Sequence, residues 1–321
     1  MSTSEARRRI FITGGSGFVG SRIIFFAVAE GYEVRALSRS EKSDEKLQDL
    51  GAVPVRGDLS TLEVLTQEAA VADVVIHLAD SQIGNLGMSW DEILRIDGAA
   101  VGALAEGLNG SGKRLLVTSG SLVAAADPTG AETDESSPPW PEDQAPHQRL
   151  KAEKHALGMV DKGITVATIR LAPCVHGHGG SGPVMFMKLA TMRGQVCYVD
   201  EGNTRTSFVH VDDAARAYLL AAKKARAGDI FNVTAETNVT MRQLTEAFGE
   251  ALRLPTKSLT REKAAEMVGQ FLARFLTTEN RASNAKAKGE LGWQPREIGI
   301  LEDITSGSYK AVAETLIKPQ S

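Results

Sequence analysis

The stretch Thr13-Gly-Gly-Ser-Gly-Phe-Val-Gly20 carries the residue types that point most directly to chemistry. Gly14 allows a tight turn, Gly17 lets a pyrophosphate approach the backbone, and Gly20 lets a following helix pack closely on the preceding strand. The free N–H groups and partial positive charge of that helix's first turn suit phosphates. Ser16, Phe18 and Val19 complete the turn and are expected to touch the same ligand. A second group is Ser38-Arg39-Ser40. Binders of NAD usually keep a carboxylate here for the ribose hydroxyls, and none occurs before Glu41. A guanidinium between two hydroxyls suits a 2′-phosphate, so NADP is expected in preference to NAD. A third group is His147 and Lys151, whose spacing puts an imidazole and an ammonium on one helix face. An unperturbed imidazole titrates near ~6.5 and can give or take a proton at neutral pH. His176, His178 and His210 have no carboxylate or thiolate set in a known ligand geometry, so no metal is expected.

These residues need a scaffold, and the chain supplies one in alternating signals. Strands are predicted at Arg9–Ile12, Glu33–Leu37, Val53–Val55, Asp73–Leu78, Arg114–Thr118 and Thr165–Leu171. The fourth is a continuous apolar run of the buried, parallel type. Helices are predicted at Ser21–Glu30, with Gly31 as its stop, from a Ser60/Glu63 capping box, from a Ser89/Glu92 box towards Leu108, and over His147–Val160. Residues Asp127–Pro146 read as a long exposed loop. This alternation implies an α/β fold of the Rossmann type, a doubly wound parallel sheet with right-handed crossovers. Residues 1–175 would form the dinucleotide-binding domain. Residues 176–321 would form a smaller, interwoven C-terminal substrate lobe that sends some elements back to the sheet. In that lobe, His176–Gly182 reads as a loop beside a ligand and Met185–Met192 as helix. A short strand is read at Thr206–Val211, a helix from Asp212-Asp213, and a strand at Ile230–Val233. Thr240 and Gln243 cap a helix ending at Leu252, and Arg261–Phe275 reads as one more helix. Within it, Met267, Phe271, Phe275 and Leu276 either line an apolar pocket or form core.

Composition narrows the setting. The chain has 321 residues and a mixed charge with a net −4, which argues against a nucleic-acid surface. Arg7-Arg8-Arg9 reads as a solvated lead-in to the first strand. Cys174 and Cys197 cannot build a disulfide framework, which points to a reducing, cytoplasmic setting. Met1–Arg9 is polar, unlike a secretory signal, and the apolar run Ile23–Ala29 is too short to span a bilayer. No membrane or nucleic-acid partner is expected. A small-molecule substrate is expected, with a homodimer left open.

Several motifs together resemble the short-chain dehydrogenase/reductase superfamily, on its extended, epimerase-like side, over nearly the whole chain. Thr13–Gly20 matches the family's Thr-Gly-x-x-Gly-x-x-Gly turn. Gly57-Asp58-Leu59 looks like the segment that meets the adenine, and Leu78-Ala79 sits where the fourth strand meets the cofactor. Leu116–Ser121 looks like the fifth strand, with Thr118 at the cofactor. Arg170–Gly177 resembles the Arg-Pro-x-x-Val-Tyr-Gly stretch lining the nicotinamide, which implicates Ala172, Pro173 and Val175 and sets His176 either in the place of the Tyr, towards substrate, or simply packed there. Phe208–Asp213 and Glu290–Trp293 resemble two further marks of extended members.

The likeness breaks at the active site. The family's Tyr-x-x-x-Lys becomes His147-Gln148-Arg149-Leu150-Lys151, and its catalytic Ser falls on Gly120 between Ser119 and Ser121. The resemblance is to atypical members. It implies that Lys151 holds the nicotinamide ribose, while reduction of a carbonyl still needs a proton for the developing alkoxide. His147 is the candidate acid, with Ser119 and Ser121 as alternatives. Arg205 stands where sugar-nucleotide members bind substrate pyrophosphate, yet the usual Asp after it is Thr206. The expected Arg-Pro-Gly segment is not evident around Asn280–Lys288. The expected function is therefore an NADP(H)-dependent oxidoreductase of a small, moderately apolar ketone or alcohol. The alternatives are an NADP(H)-binding sensor or a non-redox lyase or isomerase, with a nucleotide-sugar epimerase or dehydratase ranked below them.

Overall fold

The computed structural model describes residues 7–81, 87–142, 144–145 and 148–317, without the side chains of Val268, Gln270, Phe271, Leu272 and Phe275. Its first half runs β1 (Arg9–Thr13), α1 (Phe18–Ala29), β2 (Glu33–Ser38), α2 (Glu41–Asp49), β3 (Val53–Arg56), α3 (Leu62–Val71), β4 (Val74–His77), α4 (Trp90–Gly107), β5 (Arg114–Gly120), α5 (Arg149–Leu157) and β6 (Thr165–Leu171). There follow β7 (Cys174–His176), α6 (Ser181–Arg193), β8 (Val196–Val199), β9 (Arg205–His210), α7 (Val211–Lys224), β10 (Asp229–Val233), β11 (Glu236–Thr240), α8 (Met241–Leu252), β12 (Thr256–Leu259), α9 (Arg261–Val268), α10 (Gln270–Thr277), α11 (Ile300–Thr305) and α12 (Tyr309–Ile317).

Seven strands pair in the order β10-β6-β5-β4-β1-β2-β3, all parallel. The order reverses between β1 and β4, which opens a crevice beyond their C-terminal ends. Alternate residues serve opposite faces. Ile10 and Ile12 join the core under α1 and α7, while Phe11 joins the core under α3, α4 and α5. The C-terminal lobe adds a sheet β11-β9-β7 and a pair β12-β8. The chain then returns through α7, packed on α1, and β10 at the edge of the main sheet.

Two distant sequence marks become one structure. The Trp293 indole N–H donates to the Asp213 carbonyl at 2.9 Å, and the Asp213 carboxylate accepts the backbone N–H groups of Arg296 and Glu297. Among the described residues, no helix is long and apolar enough to cross a membrane.

Local chemistry moves several expected boundaries. The Thr240/Gln243 capping box forms, and Ser89 accepts the Glu92 N–H. The Ser60/Glu63 box does not form. Ser60 donates its hydroxyl to the Asp58 carboxylate at 2.6 Å, and α3 starts after Thr61 without a side-chain cap. The single helix expected over Arg261–Phe275 is two, broken at Gly269, whose φ of +82° only glycine adopts readily. Helix α1 starts at Phe18 rather than Ser21, which brings the glycine turn against its first N–H groups.

Candidate cofactor and active site

The crevice begins at the β1–α1 turn. Gly14 has φ +73°, and a Cβ there would lie 2.8 Å from the Ala79 nitrogen. A Cβ on Gly20 would lie 2.2 Å from the Gly14 oxygen. Gly14 is thus required for the turn to touch the end of β4, and Gly20 for α1 to pack on the turn. Gly17 precedes α1 without a side-chain cap, and the first turn of α1 has no acidic residue. Those N–H groups and the bare Gly17 surface fit a pyrophosphate. Thr13 Oγ1 contacts His77 Nδ1 at 2.8 Å and accepts the Ala79 N–H at 3.3 Å, fixing Leu78 and Ala79 beside the turn. Burial pulls the His77 imidazole down to about 4, against the opposing charge of Asp80, so it stays neutral at neutral pH.

At the end of β2, Arg39 is exposed, while Ser38 is buried and donates to the Ser40 carbonyl. Ser40 accepts the Ser43 N–H and caps α2. The Asp58 carboxyl lies below its ordinary range, chiefly through the Ser60 hydroxyl and backbone bonds and lastly through the charge of Arg39. Lys46 of α2 donates to the Ser16 carbonyl at 2.7 Å and adds a second cation at this end. The sequence reading did not single out Lys46. A lysine in the middle of a charged helix carries no local signal that it reaches back over the glycine turn.

At the other end, a cavity of about 220 Å³ opens between β4, β5, α4 and α5, with Leu78, Ala79, Thr118 and Lys151 in its wall. Thr118 donates to the His77 carbonyl and shares a 2.7 Å hydrogen bond with Tyr218. Lys151 pairs with Glu142 at 2.7 Å on the exposed rim. Ser119 is buried, and its hydroxyl has no hydrogen-bond partner among the described residues. Ser121 is 1% exposed and donates to Asn280 Oδ1 at 2.9 Å. His147 lies outside the described residues. Val175 packs under the sheet against the α1 and α7 core, Ala172 is buried there, and Pro173 joins the turn to β7.

The cavity also gathers charges from three elements that the sequence reading did not connect. Arg149 of α5 pairs with Asp80 after β4, and Asp97 of α4 accepts the Ser81 N–H at 3.2 Å. Burial, and then the nearby charge of Asp80, raise the Asp97 carboxyl, while Ser81 and Arg149 oppose the rise.

Two expected substrate contacts are placed elsewhere. His176 is 1% exposed, its Nδ1 2.8 Å from Asp303 and its ring edge-on to His210. It packs the lobe rather than facing the cavity, because Asp303 offers a buried partner that the sequence spacing does not reveal. Arg205 pairs with Glu279 at 2.5 Å and leans on the Gly130 carbonyl, so its charge is already matched by a carboxylate. His178 pairs with Asp212, which also holds Arg22. Among the described residues, no group of three or more His, Cys, Asp or Glu side chains is arranged to hold a metal.

The chain matches the NAD dependent epimerase/dehydratase family over residues 10–234. It is 33% identical over 299 residues to an uncharacterized protein of Saccharomyces cerevisiae, covering 92% of this chain and 97% of that one. It is 28% identical over 311 residues to the 4-hydroxy-2-methyl-3-oxo-4-farnesyl-3,4-dihydroquinoline-1-oxide ketoreductase of Stigmatella aurantiaca, covering 90% and 92% of the two chains. The structure of the Thermotoga maritima UDP-glucose 4-epimerase with UDP-glucose superimposes with a TM-score of 0.75 at 20% identity, covering 96% of this chain and 99% of that one. At that identity the superposition speaks for the fold.

Proposed function

The chain belongs to the NAD dependent epimerase/dehydratase family, among the extended short-chain dehydrogenases/reductases, and on that premise we propose that it is an NADP(H)-dependent oxidoreductase of an apolar ketone or alcohol. The observation that carries this reading is the joining of two features in one crevice. A glycine turn shaped for a dinucleotide meets, through Leu78 and Ala79, a cavity walled by Thr118 and Lys151. The farnesyl-bearing ketone in the name of the Stigmatella relative supports an apolar carbonyl substrate.

NADP(H), when bound, supplies or accepts the hydride. The chain's own residues do the rest. Gly14, Gly17 and Gly20 admit the pyrophosphate, and Arg39 with Lys46 offers cations to the 2′-phosphate. Lys151 exchanges Glu142 for the ribose. His147 gives the proton to the developing alkoxide in reduction and takes it back in oxidation. A second reading, an NADP(H) sensor or a non-redox enzyme, is favoured by the missing Tyr at 147 and the Gly at 120.

The cofactor reading is tested at Arg39. Arg39→Ala is expected to weaken NADP(H) binding by about 10- to 100-fold, the range of a lost charge-assisted contact, and to leave NAD(H) nearly unchanged. Titration calorimetry that finds equal losses for both cofactors refutes the preference.

A further inference from the structure

Three imidazoles meet where the C-terminal lobe touches the glycine turn. His210 ends β9 and caps α7, its Nδ1 accepting the Asp212 backbone N–H at 3.2 Å. The His176 ring meets it edge-on with centroids 5.3 Å apart, and the His178 ring lies at 5.5 Å. Gly177 runs against the same ring, since a Cβ there would lie 2.4 Å from His210 Nε2. We infer that His210 is an acid-sensitive clasp. Neutral, it holds the start of α7 and the 177–180 loop against the glycine turn. Protonated, it releases both, so the chain binds NADP(H) less tightly as pH falls below neutral. The inference rests on the reading of the crevice as an NADP(H) site.

An imidazole cap can lose the acceptor that makes it a cap. To accept from Asp212, Nδ1 must be bare, so the neutral ring carries its proton on Nε2 and a second proton goes to Nδ1. Two N–H groups then face each other, and a positive charge sits at the helix end that is already partly positive. The Asp212 carboxylate is engaged elsewhere. It binds Arg22 of α1 at 2.5 and 3.1 Å, and His178 Nε2 at 3.1 Å. The further charges that face His210 come from three elements. His176 of β7 opposes its protonation, while Glu297 before α11 and Asp303 of α11 favour it with Asp212. Glu297 is paired with Arg216 of α7, and Asp303 with His176. Burial is the largest influence and His176 the next, and they lower the imidazole against those carboxylates. A folded imidazole held below its ordinary value contributes stability that is present above that ordinary value. That stability is lost as pH falls through the lowered one.

Two ties carry the clasp to the cofactor turn. Gly180 abuts Phe18 inside the glycine stretch, where a Cβ would lie 2.8 Å from the ring edge. Asp212, whose N–H His210 holds, grips Arg22 one turn further along α1. The loop between them is strained: His178 and Ser181 have φ of +49° and +63°, a region that side chains bearing a Cβ enter at a cost. Its other ties run to α12 and the residue before it. The Tyr309 hydroxyl accepts the Gly177 N–H and donates to the Gly180 carbonyl, and Ser308 accepts the Gly179 N–H. With the clasp open, those bonds keep the loop on the C-terminal lobe while its contact with Phe18 is free to part.

The test uses the whole chain and His210→Asn, whose amide oxygen is among the best helix caps and does not titrate. Hydrogen exchange, corrected for the intrinsic effect of pH, follows the first turn of α7 and the 177–180 loop at pH 7.5 and 5.5 without cofactor. Titration calorimetry follows NADP⁺ over the same range. The 2′-phosphate also titrates, and the comparison of the two chains cancels its contribution. The native chain should lose protection at both segments at pH 5.5, and His210→Asn should keep it. The ratio of the native Kd to the variant Kd should be close to one at pH 7.5 and reach at least about fivefold at pH 5.5, within the limit of about tenfold per pH unit that one linked proton sets. Unchanged protection in the native chain overturns the proposal, whether or not the variant folds. Equal pH dependence of NADP⁺ binding in the two chains overturns it as well. Failure of the cofactor reading looks different. Both segments then open in acid in the native chain alone, yet neither chain binds NADP⁺ at pH 7.5, so the clasp stands and the site reading falls.

Discussion

Glu153→Ala is expected to cost the fold about 3–5 kcal/mol, the usual penalty for removing one partner of a buried ion pair. The Glu153 and Arg170 side chains are 1% and 6% exposed, and they meet through two hydrogen bonds of 2.6 and 3.0 Å. The pair joins α5, which carries Lys151, to β6, where Arg170 lies in register with Ser119. Alanine leaves the guanidinium buried, with the Glu135 carbonyl at 3.5 Å as its remaining hydrogen-bond partner among the described residues. The double variant Glu153→Leu with Arg170→Met replaces the pair by apolar bulk and should regain most of the loss. Urea unfolding of the single and double variants measures both values. A single variant within about 1 kcal/mol of the parent, or a double variant less stable than the single, shows that the pair does not hold α5 to the sheet. Because α5 also positions Lys151, the single variant should bind NADP(H) more weakly as well.

His147→Ala is expected to lower turnover by about 10²- to 10⁴-fold while NADP(H) affinity stays close to that of the parent. The argument is one of position: His147 precedes Lys151 by the interval at which the family places its Tyr before its Lys. An imidazole acting as the acid must be protonated, so reduction should slow as pH rises through its titration, and the alanine variant should lose that limb. His77 does not produce such a limb near neutrality, because burial holds it at about 4. Thr13 Oγ1 also occupies its Nδ1. His147→Tyr should retain activity if the helix register matches the family's. Full turnover in His147→Ala with an unshifted pH profile moves the proton to Ser119, Ser121 or water, or removes redox chemistry altogether. Ser119 is the stronger substitute of the two serines on structural grounds. Its buried hydroxyl lacks a described partner, while Ser121 is committed to Asn280.

What was legible in the sequence follows from the range of the interactions involved. The six leading strands are short apolar runs bounded by turn residues, and the glycine turn is a local steric requirement, so both could be read directly. The Thr240 cap was equally local. The Ser60 cap failed because Asp58, two residues earlier, captured the same hydroxyl. Strands β8 and β12 pair in parallel across about sixty residues of intervening chain, and neither has an alternation long enough to declare itself. In the site, the grouping of Asp80, Asp97 and Arg149 brings together three separate elements. No spacing rule along the chain predicts such a meeting. The choice between the two readings of His176, beside the nicotinamide or simply packed, was hidden for a related reason. A family position suggested the ligand side, but Asp303, 127 residues away, supplied a buried partner and turned the ring into the lobe. The apolar residues Met267 and Leu276 read equally as core or pocket; both line an apolar cavity of the C-terminal lobe, and Leu276 also packs against the lobe's core. Phe271 and Phe275 lie outside the described side chains.

The central claim is that this crevice passes a hydride between NADP(H) and an apolar carbonyl. Following deuterium tests it most directly. The full chain is incubated with NADPH deuterated at C4, on either face in separate reactions, and with a straight-chain 2-ketone. The account predicts that label from one face alone appears at the carbinol carbon of the alcohol, with one equivalent of NADP⁺ formed per alcohol. Tight NADPH binding with the label still wholly in the cofactor would contradict it and leave a sensor or a non-redox enzyme in its place.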